Sequence, residues 1–351
     1  MKERVAITGL GIISPLGVGR EAFSAALEQG TLGFKDELLA PGIVRPVGRV
    51  GELVPTSVRL QSSKASQIDV ISRYAVESCG QALKDARLEL TEEQRDRTGV
   101  LLGTAYGCLE SNMLFDQYQR AEDGRPTGVS PLYFKSTVSN AAAGWVSILL
   151  KLRGVNATFT SGVLAGAQAV AHGADLIADG ITDLVLTGGA DRTLPLNMLL
   201  ETPEAVPSSE GACALALESM SRAISRGATV YGRLRDTFRM SLPDGDLATL
   251  TVEALKALGT RPNQLTTLVV PETDPAKLEA LKASVQARTG LNLQLWPLKQ
   301  QLGECRAAWS VLAVAAVCLR FASSPENSRG VVYVLDTEPN LEGLVLELSR
   351  T

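Results

Sequence analysis

The chain has 351 residues, 45% of them hydrophobic and 21% charged, with 32 glycines and a net charge of −4. That length holds one large domain or two of average size, either able to bury a substantial core, and the composition is that of an ordinary globular α/β protein. The slight negative balance excludes the basic footprint of a nucleic-acid or anionic-membrane binder.

The longest uncharged run, between Arg153 and Asp175, carries Asn156, Ser161, Gln168 and several glycines, so it reads as buried core and not as a membrane span. The five cysteines, Cys79, Cys108, Cys213, Cys305 and Cys318, show no paired spacing, which suits free thiols and gives no metal motif. With no signal peptide visible at MKERVAITGLG, the expected compartment is the reducing cytoplasm.

In chain order, residues 5–8 read as a buried strand and GLGIISPLGVG as a glycine-rich loop leading to a helix over 21–29. Gly9-Leu10-Gly11 runs into Ile-Ile-Ser-Pro, not into a third glycine and a helix, so the dinucleotide fingerprint fails and no cofactor is expected. Residues 31–62 carry prolines and little periodicity, a loop with short edge strands. Ile68, Ile71, Tyr74, Ala75, Cys79 and Leu83 recur at helical spacing and predict an amphipathic helix over 66–86. GVLLGT at 99–104 is another buried strand. The helix predicted over 106–120 bears Met113, Leu114, Phe115 and Tyr118, a stripe that suits plain core as well as the lining of a channel. A polar loop at 121–129 and a small-residue helix over 139–150 follow.

Residues 154–190 combine a strand over 157–161, a sharp turn at Gly162, a buried helix over 163–178, and a short strand over 184–187 stopped by Gly188-Gly189. The turn sets Val163 at a helix N-terminus, where an enzyme would place a nucleophile and use the N–H in an anion hole. An ordinary buried strand–turn–helix fits the same pattern.

The second half repeats this grammar. Strands are predicted at 210–218, 231–236, 267–270 and 291–296, helices at 219–226, 247–258 and 275–289, and a closing hairpin-like pair at 331–335 and 344–348. Residues 305–321 are apolar nearly all round and predict a second central helix. Two strand–helix series, each with one fully buried helix, predict an internal duplication sharing a layered helix–sheet core.

The blocks VAITGLGIISPLGVG, KLRGVN, SGVLAGAQAVAHGADLIADGITDLVLTGGA, EGACALALESMSRAISRGATVYGRLRD and LKQQLG, in that order, resemble the β-ketoacyl-acyl-carrier-protein synthases, which have the thiolase fold. The resemblance covers nearly the whole chain. It implies an α/β thiolase-like fold, a duplicated α-β-α-β-α core with two buried central helices, in a single domain of residues 1–351 with halves of about 1–205 and 206–351. The family's chemistry uses a cysteine thiolate at the turn to take the acyl chain. Two histidines then stabilise the enolate formed as malonyl-carrier protein loses CO2.

The matching positions here are altered together. The cysteine position is Val163; the histidine of the family's Lys-x4-His pattern is Glu304, with Lys299 and Gly303 kept; the His-Gly-Thr segment is Pro271-Glu272-Thr273. The glycine loop that closes the family's site is replaced by DTEPN at 336–340. The single histidine, His172, lies more than two helical turns beyond Val163, so two imidazole donors cannot be assembled. A glutamate at a former histidine position opposes a developing enolate by like-charge repulsion unless protonated.

Non-catalytic members of this family resemble chain-length factors, which pair with an active ketosynthase in a type II polyketide heterodimer and act with an acyl carrier protein. The resemblance implies that Asn156, Ala157, Thr158, Phe159 and Thr160 pair across the dimer axis. It also implies a tunnel at the interface that limits product length by steric exclusion, with Met113, Phe115, Tyr118, Tyr133 and Phe134 as candidate lining. The chain departs from the chain-length factors that have glutamine at the cysteine position. Two other readings stand beside this one: a divergent acyltransferase or ketosynthase using Cys305 or Ser161, with Glu272 and Glu304 as a carboxylate pair, and a purely structural partner.

Overall fold

The computed structural model describes residues 4–51, 53–58, 68–119, 134–200, 206–241, 246–260, 265–323, 331–337 and 342–350. The strands are β1 (Val5–Ser14), β2 (Gly17–Val18), β3 (Lys35–Ala40), β4 (Ile43–Gly48), β5 (Gly99–Gly103), β6 (Asn156–Phe159), β7 (Leu184–Asp191), β8 (Ser208–Ser209), β9 (Gly211–Ser219), β10 (Gly232–Ser241), β11 (Leu265–Val269), β12 (Asn292–Trp296), β13 (Val331–Thr337) and β14 (Glu342–Ser349). The helices are α1 (Arg20–Glu28), α2 (Val70–Asp85), α3 (Glu92–Arg97), α4 (Leu109–Gln119), α5 (Ala141–Leu150), α6 (Ala165–Ala178), α7 (Pro195–Leu200), α8 (Met220–Ser225), α9 (Leu247–Ala257), α10 (Pro275–Thr289), α11 (Lys299–Leu302) and α12 (Trp309–Ser323).

The main sheet runs β12-β11-β13-β14-β10-β1-β9-β7-β5-β6, with β2 beside β1. Its two halves have the same pairing. β5 is parallel to β6 and β7, and β9 is antiparallel to β7 and β1; β11 is parallel to β12 and β13, and β14 is antiparallel to β13 and β10. The halves join where β1 meets β10 antiparallel. β9 completes the first half of the sheet, so the repeat in strand pairing divides between Ser219 and Gly232 and not near residue 205.

The layering follows from period-two burial. Cys213, Leu215 and Leu217 of β9 join one apolar cluster and Ala212, Ala214 and Ala216 another, because successive side chains point to opposite faces. The first cluster holds α6 and α12 between residues of both half-sheets, including Ile7, Leu215, Val334 and Leu346. The second puts α2 and α5 on the outer face of the first half, and the third puts α9 and α10 on the outer face of the second. This is helix, sheet, central helices, sheet, helix. The segment Arg306–Ser323 is apolar and long enough to cross a membrane, but it is the core helix of this stack and is 72% buried.

Two glycine signals carry a different meaning from the one expected. β1 does not stop at Thr8 but continues through Gly9 and Gly11 to Ser14. A Cβ at either glycine would collide with a backbone carbonyl of α2, Ala82 O or Ser78 O, so these glycines let the helix lie close on the strand. Likewise β7 runs on through Gly188-Gly189 to Asp191, where side chains would meet the Cys213 and Ala307 carbonyls. The region 31–62 supplies a hairpin, β3 and β4, that pairs with β8 as a small second sheet.

Candidate functional site

Each central helix starts from a 3-10 turn: Gly162–Leu164 leads from the edge strand β6 to α6, and Arg306–Ala308, reached from the opposite edge strand β12 by way of α11, leads to α12. The first residue of each has positive φ, 59° at Gly162 and 53° at Arg306. At Gly162 this is unstrained; at Arg306 the surroundings must hold it. The Arg306 guanidinium stacks over the Tyr106 ring at 5.4 Å. The two turns pack against each other because Gly166 leaves no Cβ to strike the Ala307 carbonyl.

Asp191 locks this floor. It is fully buried at the end of β7, and its carboxylate accepts from Thr104 Oγ1 at 2.8 Å, Ala105 N and Tyr106 N beyond β5, and Ala307 N at 2.9 Å. Burial nevertheless pushes its carboxyl up to about 7. Sequence reading did not single this residue out; the signal was a charge closing the apolar run LVLTGGAD.

Val163 sits within the first turn, partly buried against the central cluster. Ser161 precedes it and donates its hydroxyl to Gln168 Oε1, so the nearest hydroxyl is engaged by an amide and not by a base. His172 stands on the exposed side of α6, its ring edge-on to Phe159 at 5.1 Å.

Glu304 and Lys299 are buried and form an ion pair, Nζ to Oε2. The other Glu304 oxygen accepts the Arg306 N–H at 2.8 Å, and the Lys299 ammonium lies 4.8 Å from the Trp309 ring centroid. The carboxylate is thus neutralised by its own lysine and fixed against the second turn. Sequence reading kept Lys299 and Glu304 as motif positions and missed Trp309.

Glu272 is half-buried, and its Oε1 accepts the N–H groups of Thr273 and Asp274, with Lys277 at 3.9 Å. Gln300 reaches from α11 to the Thr273 carbonyl at 2.8 Å, which ties this loop to the Lys299 helix. Glu272 and Glu304 are thus held by separate sets of partners. Cys305 is fully buried, and burial followed by the neighbouring Glu304 charge pushes its thiol up, the opposite of the lowering a nucleophile needs.

Among the candidate lining residues, Phe115 and Phe134 approach to 6.3 Å between ring centroids at a tilted 58°. Met113 and Phe134 are exposed in the single chain. The Tyr118 side chain and Tyr133 lie outside the described residues. β6 is the edge strand of the main sheet and spans Asn156 to Phe159; Thr160 falls just past it and is exposed. Asn156 Nδ2 donates to Ala143 O and Ser147 Oγ of α5, and Thr158 Oγ1 is buried without a hydrogen-bond partner among the described residues. Ile148 on α5 and Val155 before β6 are exposed at 63% and 43%.

A duplicated five-layer stack with paired turns at two central helices is the thiolase fold of the ketosynthases. The ishigamide ketosynthase/chain length factor superposes with a TM-score of 0.82, covering 100% of both chains at 20% identity. A type II polyketide acyl-carrier protein in complex with its ketosynthase bound to the hexaketide gives 0.79, again over 100% of both chains, at 18% identity. In sequence, the profile of the β-ketoacyl synthase N-terminal domain matches residues 2–215. 3-oxoacyl-[acyl-carrier-protein] synthase 2 of Vibrio harveyi is 30% identical over 287 residues, 72% of this chain and 68% of that protein. The chain belongs to the β-ketoacyl synthase family.

Proposed function

We propose that this chain is a catalytically silent ketosynthase homologue that pairs in the cytoplasm with an active ketosynthase and limits the length of the partner's product, in the manner of a chain-length factor. The observation that carries the reading is the composition of the reaction centre. The nucleophile's turn holds Val163, and the position of an imidazole donor holds Glu304, already neutralised by Lys299. Such a centre offers neither a thiolate to accept an acyl group nor a neutral donor to hold an enolate.

The alternative nucleophiles are poorly suited. Cys305 is buried with its thiol raised, and Ser161 donates to an amide oxygen. The edge position of β6, the unpartnered Thr158 hydroxyl and the apolar Ile148 and Val155 beside it support pairing with a second subunit through this strand. Phe115 and Phe134 would then close the far end of a tunnel shared with the partner. An acyl-carrier protein delivers to the complex, and the covalent chemistry stays in the partner.

The test is to co-express the chain with a cysteine-containing ketosynthase, supply malonylated carrier protein, and measure product lengths. Truncating Phe115 and Phe134 to alanine shifts the products longer if the reading holds. An unchanged distribution leaves only a structural partnership.

A further inference from the structure

We propose that the cleft between β1, β10 and the C-terminal half of α6 binds a compact oxyanion, a phosphate or the phosphate group of a small ester, held by Arg4 and Arg233. The cleft has a volume of about 330 Å3, with Arg4, Val5, Asp175, Arg233, Arg235 and Asp236 in its walls. That is the low end of small-molecule sites.

The strand ladder explains the concentration of cations. Arg233 lies opposite Ala6 across the β1–β10 seam, and the register shift between Leu234 and Asp236 leaves Arg235 out of the ladder beside it. Arg235 is answered by Glu347 at 3.2 Å, and Asp236 accepts the Thr237 N–H at 2.8 Å. Arg233 has no such answer among the described residues. Its Nε is buried with no acceptor among them, and burial and the neighbouring cations Arg4 and Arg235 push its pKa down. Asp175 is exposed on α6, where water screens it.

A buried guanidinium N–H without an acceptor carries a desolvation cost that an oxyanion removes, and the planar fork of arginine matches tetrahedral oxyanions in particular. The larger cavity lined by Arg20, Asp85 and Tyr231 differs in this respect, because those three groups already bond one another.

Calorimetric titration of the full chain with inorganic phosphate at fixed ionic strength, with chloride as reference, tests the site. Saturable one-to-one binding is expected for the wild type and for Lys256→Gln, an exposed cation elsewhere. Arg233→Gln and Arg4→Gln should bind roughly 10- to 100-fold more weakly. If Arg233→Gln fails to fold by circular dichroism, Arg4→Gln decides. No saturable binding by the wild type, or equal binding by a folded arginine variant, overturns the proposal. A parallel titration with glycerol 1-phosphate separates the sources: tighter binding than phosphate identifies an ester ligand, and equal binding identifies the free ion.

Discussion

Lys299 and Glu304 form a buried ion pair at the foot of the second central helix, with the ammonium 4.8 Å from the Trp309 ring centroid. Removing one partner strands the other charge in the core, so Lys299→Met or Glu304→Leu alone should destabilise by about 3–5 kcal/mol. The double variant should lose far less than the sum of the two, because nothing charged is left behind. Urea unfolding of the three variants measures this; additive losses would show that the two groups do not act as a pair.

Gly166→Ala tests the packing of the two turns. The added methyl meets the Ala307 carbonyl, a backbone atom that cannot rotate away. Overpacking of this kind costs about 1–3 kcal/mol, occasionally more. A melting temperature unchanged from wild type would mean that the turns separate freely.

How such glycines read from sequence explains what was legible there. Order, type and approximate bounds of most elements followed from periodicity, and α10 over Pro275–Thr289 matched the expected span, with Asp274 capping and proline at the first turn. Gly9, Gly11, Gly188 and Gly189 were read as loop or strand-end signals. Their actual use is close contact with carbonyls far away in sequence, which no local pattern records. Val163, Glu272 and Glu304 were legible as positions of interest, because residue identity alone shows that none carries a thiol or an imidazole. Their partners were not: Lys299 with Glu304 and Trp309, or Asp191 with Thr104 and Ala307, meet only through the fold.

Asp191 gives the chain a pH signature. Burial raises its carboxyl to about 7 in the folded state, whereas in the unfolded chain it titrates near ~4. Between those values the folded form holds a proton that the unfolded form has released. Stability from this group is therefore full below about pH 4, falls as pH rises towards 7, and is level beyond, with a slope of at most about 1.4 kcal/mol per pH unit. In Asp191→Asn this component of the pH dependence should vanish; a wild-type and variant difference that stays constant from pH 4 to 7 would contradict it.

Pairing through β6 predicts a surface effect with intact folding. Ile148→Glu with Val155→Lys changes two exposed positions beside the edge strand, so the isolated chain should unfold within about 0.5 kcal/mol of wild type. Co-purification with a co-expressed ketosynthase should drop at least tenfold, on the order of 1.4 kcal/mol or more. Undiminished co-purification would place the interface elsewhere.

A catalytically silent homologue carries out no acyl transfer by itself. Intact-mass spectrometry of the purified chain after incubation with acylated and malonylated carrier protein measures this directly, with Val163→Cys as a parallel sample. No acyl adduct and no decarboxylation or condensation are expected of the wild type, and no condensation of Val163→Cys, because the imidazole donors are still lacking. An acyl adduct on the wild-type chain, at Ser161, Cys305 or any other residue, followed by formation of a β-ketoacyl product, would contradict it.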